Sequence, residues 1–399
     1  MEEFLEIANW VREKTVHKID AVDSLPAPTF KINGEIHVSF SSNNYLGLSN
    51  DKRLVEVAKK GLEEFGVGNC ESRLLGGNLK IYDDLEEKIA KLKGKEASIL
   101  FATGYLTNLG VLSTLPKISK YARIYGYRSK KVATYAYFSD EYNHASIKEG
   151  IRMSGADCFT FRHFDLSHLD SLLRESKASN KIIVTDGIFS QDGDIVPLPE
   201  MLDLATRHNA FIYIDDAHST GVLGDTGAGT AEYYKISSDR LIQMGTLSKA
   251  YGAIGGFVAA KKHIIDLLRL SCSAYGFTSA IPADQILAIS KAIDIACGDS
   301  LLRKKLWDNQ KYFVNRASKL KYKLASNTTP IVPILINSEE LSDKFARILK
   351  EKKIHVDSVK FPAVPYNKAR LRVILNAGHT HKEMDALISV LEENQHLLS

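Results

Sequence analysis

The chain has 399 residues, 44% of them hydrophobic and 25% charged, with a net charge of +4. That is apolar material for a large core and a second, smaller unit, and a charge too slight for a nucleic-acid partner. Cys70, Cys158, Cys272 and Cys297 lie far apart and form no Cys-x-x-Cys pair, which speaks against a metal site and a disulfide framework and for a reducing compartment.

The first residues, Met1-Glu2-Glu3-Phe4-Leu5-Glu6, are acidic where a secretory signal is basic, and no apolar stretch approaches a membrane span. A cytoplasmic protein is expected, with peripheral membrane contact left open. Phe4, Ile7, Ala8 and Val11 recur at helical spacing before Pro26 and Pro28 break the pattern. Residues 1–40 therefore read as a helix and an extended arm of the kind that packs on a partner subunit. Helical spacing returns over 51–65 and 82–92, while short apolar runs at 97–101, 181–185, 211–215 and 241–244 read as buried parallel strands. Strands alternating with amphipathic helices imply right-handed crossovers, so residues 41–300 are expected to form a large α/β domain on a mostly parallel sheet. After a helical stretch at 283–296 and Arg303-Lys304-Lys305, strand-like alternation at 331–336, 354–359 and 370–375 predicts a smaller α+β domain over 301–399.

Residues 117–138 stand apart. Lys117, Lys120, Arg123, Arg128, Lys130 and Lys131 interleave there with five tyrosines and no acid. Such a segment suits the phosphates of a thioester carrier, an acidic carrier protein or a membrane surface, or else it is a solvated, tyrosine-rich hairpin.

In open parallel sheets ligands bind beyond the carboxyl ends of the strands, and four polar motifs fall at such ends: Thr103-Gly104, Asp186-Gly187, Asp215-Asp216-Ala217-His218 and Thr246 to Lys249. Lys249 lies in Gly245-Thr246-Leu247-Ser248-Lys249-Ala250-Tyr251-Gly252, among hydroxyls and small residues, with no acid following until Asp266. Desolvation of this kind lowers an amine's pKa and makes it nucleophilic. Asp215 ends an apolar strand and precedes Asp216-Ala217-His218. A carboxylate there either caps a helix or pairs with a cation such as a protonated pyridine nitrogen. Strand-tip Asp with loop Lys is the pairing that pyridoxal phosphate chemistry needs. Thr103-Gly104-Tyr105 puts a glycine at a helix start, where free N–H groups hold phosphate. His144, in Asn143-His144-Ala145-Ser146, is a cap, a core histidine or an aromatic plate against a flat ring. Arg370 and Arg372 alternate with apolar residues, so one of the two is expected to face a cleft, where its fork would match a substrate carboxylate; the alternative is a strand with both solvated.

As an ordered set, these motifs resemble the α-oxoamine synthases, fold-type I pyridoxal phosphate enzymes. The resemblance runs through Ser42-Asn43-Asn44-Tyr45-Leu46-Gly47, Ser72-Arg73, Ala102-Thr103-Gly104-Tyr105, Asn143-His144-Ala145-Ser146, Phe189-Ser190-Gln191-Asp192-Gly193-Asp194, Asp215-Asp216-Ala217-His218, Thr246-Leu247-Ser248-Lys249, Phe277-Thr278-Ser279 and Leu371-Arg372. It implies that Lys249 forms the Schiff base, that Asp215 pairs with the pyridine nitrogen, and that His218 and Ser190 meet the ring oxygen while His144 stacks on the ring. Thr246, with Ser248 and the turn at Thr103, Gly104 and Tyr105, would bind the phosphate, and Thr278 or Ser279 would reach it from the partner of a homodimer. Asp186 would lie by the cofactor, and Arg372 would hold the amino-acid carboxylate with Asn44 and Ser72 nearby.

The reaction so implied condenses a small amino acid with an acyl-CoA or acyl-carrier-protein thioester, with loss of carbon dioxide, to an α-amino ketone. Residues 215–224 are closest to the 8-amino-7-oxononanoate synthases, which take alanine and a pimeloyl thioester. Residues 103–110 and 275–282 look more like the serine palmitoyltransferases, and glycine C-acetyltransferases come third. Tyr82, Asp186 and Ala228 depart from the family's usual histidine, glutamate and arginine, and the 117–138 segment looks longer than usual. An aminotransferase would share Lys249 and Asp215 but return the amine to a keto acid; a non-catalytic partner subunit is disfavoured by retention of Lys249, Asp215 and His144.

Overall fold

The computed structural model describes residues 1–15, 21–25, 27–128, 133–298 and 300–398. A seven-stranded sheet runs in the spatial order Ala97–Phe101, Gly256–Ala260, Leu241–Thr246, Ala210–Asp215, Asn180–Asp186, Tyr135–Asp140, Asp157–Phe161. Every neighbouring pair is parallel except those of Gly256–Ala260, which is antiparallel to both its neighbours. The central strands are mostly apolar because both faces are covered: Ile212 and Ile214 enter one hydrophobic cluster and Tyr213 another, the alternation that a pleated strand imposes. The strand runs expected at 97–101, 181–185, 211–215 and 241–244 all lie in this sheet; Tyr135–Asp140, Asp157–Phe161 and Gly256–Ala260 are additions to them.

A four-stranded antiparallel sheet, in the order Lys323–Leu324, Ile331–Leu335, Arg370–Ile374, Asp357–Val359, forms the smaller unit. Helices Ser300–Ala317, Glu339–Glu351 and His381–Glu393 bury Phe313, Phe345, Leu349, Leu387 and Leu391 against it. The N-terminal arm contributes a hairpin, Thr29–Ile32 with Glu35–Ser39, whose second strand pairs in parallel with Ile354–His355. The arm is thus stitched to a strand more than three hundred residues later.

Among its described residues the 117–138 segment shows no hairpin. A 3-10 turn, Leu115–Lys117, leads into helix Ile118–Ile124, and the chain re-enters the sheet at Tyr135. Lys130 and Lys131 lie outside the described residues. Helix Gly104–Thr114 carries the chain away from the carboxyl edge of the sheet and strand Tyr135–Asp140 brings it back, so Lys117, Lys120 and Arg123 lie at the opposite edge, close to the carboxyl-edge motifs only in sequence.

Candidate active site

Asp186 and Asp215 end adjacent parallel strands as direct partners in the register, and Asp140 ends the strand beyond them. Three buried carboxylates on one edge repel, and the fold offsets each differently. His163 bridges Asp140 and Asp194 at 3.0 Å to each. Burial opposes its charge, but those hydrogen bonds outweigh it and raise its pKa to about 9. Burial, then the charge of Asp215, pushes the Asp186 carboxyl well above the usual range, although it accepts the His144 backbone N–H at 2.9 Å. Asp215 accepts from Asn108 Nδ2 at 2.7 Å and the Ala217 N–H at 2.9 Å. Both donors are neutral.

Asp215 and Lys249 line a common cavity of about 240 Å³ with His144, His218, Ser190 and Gly104. Lys249 is carried on a loop closed on itself: the Leu247 N–H donates to the Gly255 carbonyl at 2.9 Å, the Thr246 hydroxyl to the same oxygen at 2.9 Å, and the Gly252 N–H to the Lys249 carbonyl at 3.0 Å. Gly252 has φ +66°, and a Cβ there would meet the Ser49 backbone nitrogen at 2.4 Å. Burial, opposed by the charge of Asp215 and helped by that of Arg372, lowers the Lys249 pKa to about 8. Lys249 Nζ lies 2.7 Å from His218 Nε2, and the Tyr45 hydroxyl 2.6 Å from His218 Nδ1. Burial, helped by the Lys249 charge, holds His218 well below the ordinary histidine value.

His144 is both cap and cavity wall. Its Nδ1 accepts the Ser146 N–H at the start of helix Ala145–Ser154 and lies 2.7 Å from the Ser146 hydroxyl, while burial lowers its pKa against the pull of Asp215. Ser146 Oγ in turn accepts from Asn108 Nδ2 at 2.9 Å, and the Tyr213 hydroxyl donates to Asn108 Oδ1 at 2.8 Å. One asparagine therefore links the strand-tip carboxylate to the capping histidine. Asn108, Tyr213 and Tyr45 have no assigned role in the motif reading; the available signal was a carboxamide one turn into helix Gly104–Thr114, whose other polar side chains are hydroxyls.

At the start of that helix Thr103 caps the Leu106 N–H at 3.0 Å, and a Cβ on Gly104 would meet Thr246 Oγ1 at 2.9 Å. The Thr246 and Ser248 hydroxyls lie 2.8 Å apart. A flat ring bearing a phosphate and a protonated nitrogen fits this donor set: amine, neutral-bonded carboxylate, imidazole plate and helix N-terminus face one cavity. Tyr105 stands at the rim, half exposed, with its hydroxyl on Glu149 and its ring edge-on to His144.

Arg370 and Arg372 are both buried and on the same side, as period 2 requires of residues two apart, so the expectation that only one turns inward is corrected. Arg370 pairs with Asp192, whereas Arg372 donates from Nε to the Ser190 carbonyl at 2.5 Å and from Nη2 to Asn43 Oδ1 at 3.4 Å. Asn44 donates to the Ser49 hydroxyl at 2.6 Å and lines an adjoining cavity. Thr278 and Ser279 do not line the Lys249 cavity. They lie beside Arg73 and Tyr82 in a separate small one, and the Ala280 N–H donates to the Glu71 carbonyl, so Ser72 belongs to that region too.

The family model for aminotransferase class I and II matches residues 35–391. The chain is 38% identical over 378 residues to the 8-amino-7-oxononanoate synthase of Thermoanaerobacter pseudethanolicus, covering 94% of this chain and 92% of that protein. It superposes with a TM-score of 0.89 on a serine palmitoyltransferase from S. paucimobilis solved with a bound PLP-myriocin aldimine, at 25% identity and with 99% and 97% of the two chains covered. Against the 8-amino-7-oxononanoate synthase of Francisella tularensis the TM-score is 0.77, at 25% identity over 90% of this chain and 98% of that one.

Proposed function

Since the chain belongs to the aminotransferase class I and II family and, within it, to the α-oxoamine synthases, we propose that it condenses alanine with a pimeloyl thioester. It is a pyridoxal phosphate-dependent acyltransferase. The observation that carries the reading is the cavity itself, where Lys249, Asp215, His218 and His144 meet, together with full-length similarity to an 8-amino-7-oxononanoate synthase.

Pyridoxal phosphate, when bound, supplies the electron sink that lets a proton leave the amino acid's α-carbon. The residues of this chain do the rest. Asp215, bonded only to neutral donors among the described residues, would balance the ring's protonated nitrogen. His144 would pack on the ring, and His218 and Ser190 would bind its oxygen. The N–H groups at Gly104 and Tyr105, with the Thr246 and Ser248 hydroxyls, would hold the phosphate. Arg372, held by the Ser190 carbonyl, grips the amino-acid carboxylate beside Asn44. Lys249, poised near pH 8, takes the α-proton and returns it after carbon dioxide has left.

Thr278 and Ser279, lying outside their own chain's cavity, reach the phosphate of a partner subunit in a homodimer. The N-terminal helix Glu2–Thr15, which exposes Phe4, Ile7 and Trp10, suits such an association. Among the described residues no helix is long and apolar enough to cross a membrane, and we place the enzyme in the cytoplasm. The higher TM-score to a serine palmitoyltransferase favours, as second reading, serine with a long-chain thioester. Carbon dioxide release and product mass, measured for alanine, serine and glycine against pimeloyl, palmitoyl and acetyl thioesters, test both; a keto acid without carbon dioxide would make the protein an aminotransferase.

A further inference from the structure

Ser248 lines both the Lys249 cavity and a larger one of about 620 Å³. One side of this second cavity is the face of the arm hairpin, with Phe30 and Ile32 on one strand and Ser39 beside His355 across from them. Val22 and Leu25, about half exposed, extend the apolar side. The remaining wall is hydroxyl and amide, including Asn43, which Arg372 touches, and Ser41, whose buried hydroxyl has no hydrogen-bond partner. No lysine or arginine lines the cavity among the described residues, and its His355 Nε2 lies 3.6 Å from Asp357. A phosphate or carboxylate buried along this wall would find little countercharge, whereas a run of methylenes would find an apolar surface, and the terminal carboxylate of a pimeloyl chain would emerge into solvent past the half-exposed Val22 and Leu25.

We propose that this cavity receives the hydrocarbon chain of the acyl thioester, and that Val22, Leu25, Phe30 and Ile32 set the chain length accepted. The proposal rests on the acyl-transfer reading above. The continuity carries it: the thioester carbonyl sits at the polar lip by Ser248 and Asn44, within reach of the amino acid held at Arg372, and the chain extends along the hairpin face. The arm, remote in sequence from every catalytic motif, becomes the specificity element because it is paired onto Ile354–His355.

The test uses the holoenzyme with butyryl and octanoyl thioesters, and an octanoyl thioester bearing a terminal diazirine for photolabelling. Leu25→Trp and Ile32→Phe are expected to lower the octanoyl-to-butyryl ratio of kcat/KM at least about tenfold, since single methylene-sized changes in an apolar pocket are worth that much. Leu25 is half exposed, so its replacement leaves folding intact should Ile32→Phe fail. The label is expected on peptides containing residues 22–32. Turnover with an unchanged ratio in the folded variants, or label confined elsewhere, overturns the acyl cavity and leaves the acyl-transfer reading standing. Label on 22–32 with no thioester turned over by the wild type upholds the cavity as an apolar-chain site and overturns acyl transfer.

Discussion

The Tyr45 hydroxyl meets His218 Nδ1 at 2.6 Å, and through that ring it acts on Lys249, 2.7 Å from Nε2. Burial raises the Tyr45 pKa, so the phenol keeps its proton and donates. A neutral His218 then carries its own proton on Nε2, and only an uncharged Lys249 amine can accept it. Tyr45→Phe frees the ring to take the other tautomer and accept from an ammonium. The pH midpoint for capture of pyridoxal phosphate by the apoprotein is expected to rise from about 8 by roughly one unit, the worth of one charge-assisted hydrogen bond. A midpoint that stays or falls refutes this role for the phenol.

Asn108 bridges Asp215, Ser146 and Tyr213. Asn108→Leu takes a hydrogen bond from three buried partners, so unfolding free energy should drop by about 1–3 kcal/mol, and cofactor affinity should weaken about tenfold as Asp215 loses its orientation. Chemical denaturation and a cofactor titration separate the two effects. Retained affinity in a destabilised variant would reduce Asn108 to a core residue.

Lys249→Ala should abolish the protein's visible absorbance, and Arg372→Ala should raise the amino-acid KM at least about tenfold with cofactor affinity changed little. An unchanged spectrum in the first variant, or unchanged amino-acid affinity in the second, contradicts the assigned roles.

The pair of carboxylates on His163 makes a pH-dependent contribution to stability. Its folded-state pKa of about 9 lies above the ordinary 6.5, so the stabilisation is complete below pH 6.5 and is lost as pH rises through about 9. After allowance for solvent screening it is worth about 2 kcal/mol. Urea midpoints of the wild type and His163→Gln should therefore differ at pH 6 and converge near pH 10; a constant difference would show that packing, not charge, is what His163 contributes.

Replacing Lys120 and Arg123 by alanine should leave the thioester KM within about twofold, because helix Ile118–Ile124 lies at the sheet edge opposite the cavity. A large rise in KM would bring the basic segment back as a carrier-docking surface.

How much of this was legible in the chain depends on range. Strand runs at 97–101, 181–185, 211–215 and 241–244 could be read because fully buried parallel strands are continuously apolar. Asp157–Phe161 could not, since an edge strand with three exposed residues has no such run. The position of the basic segment could not be read, because nearness in sequence says nothing about which end of a strand a loop occupies. The two inward arginines follow from strand parity, a geometric rule available before any coordinates.

Lys249, Asp215, His144 and Gly104 each lie at a turn or strand end, where taken singly they also suit a structural role; it is their ordered set that points to one chemistry. The sequence by itself determined the family and offered that set as its site. Only the tertiary structure decided what acts on it. Tyr45 reaches His218 across 173 positions, Arg372 reaches Ser190 across 182, and Asn108 reaches Asp215 across 107. Contacts at such separations leave no periodicity or spacing to read, because they are made by the folding of whole layers onto one another. The arm's place beside the cavity has the same origin, a two-residue parallel pairing with the far end of the chain.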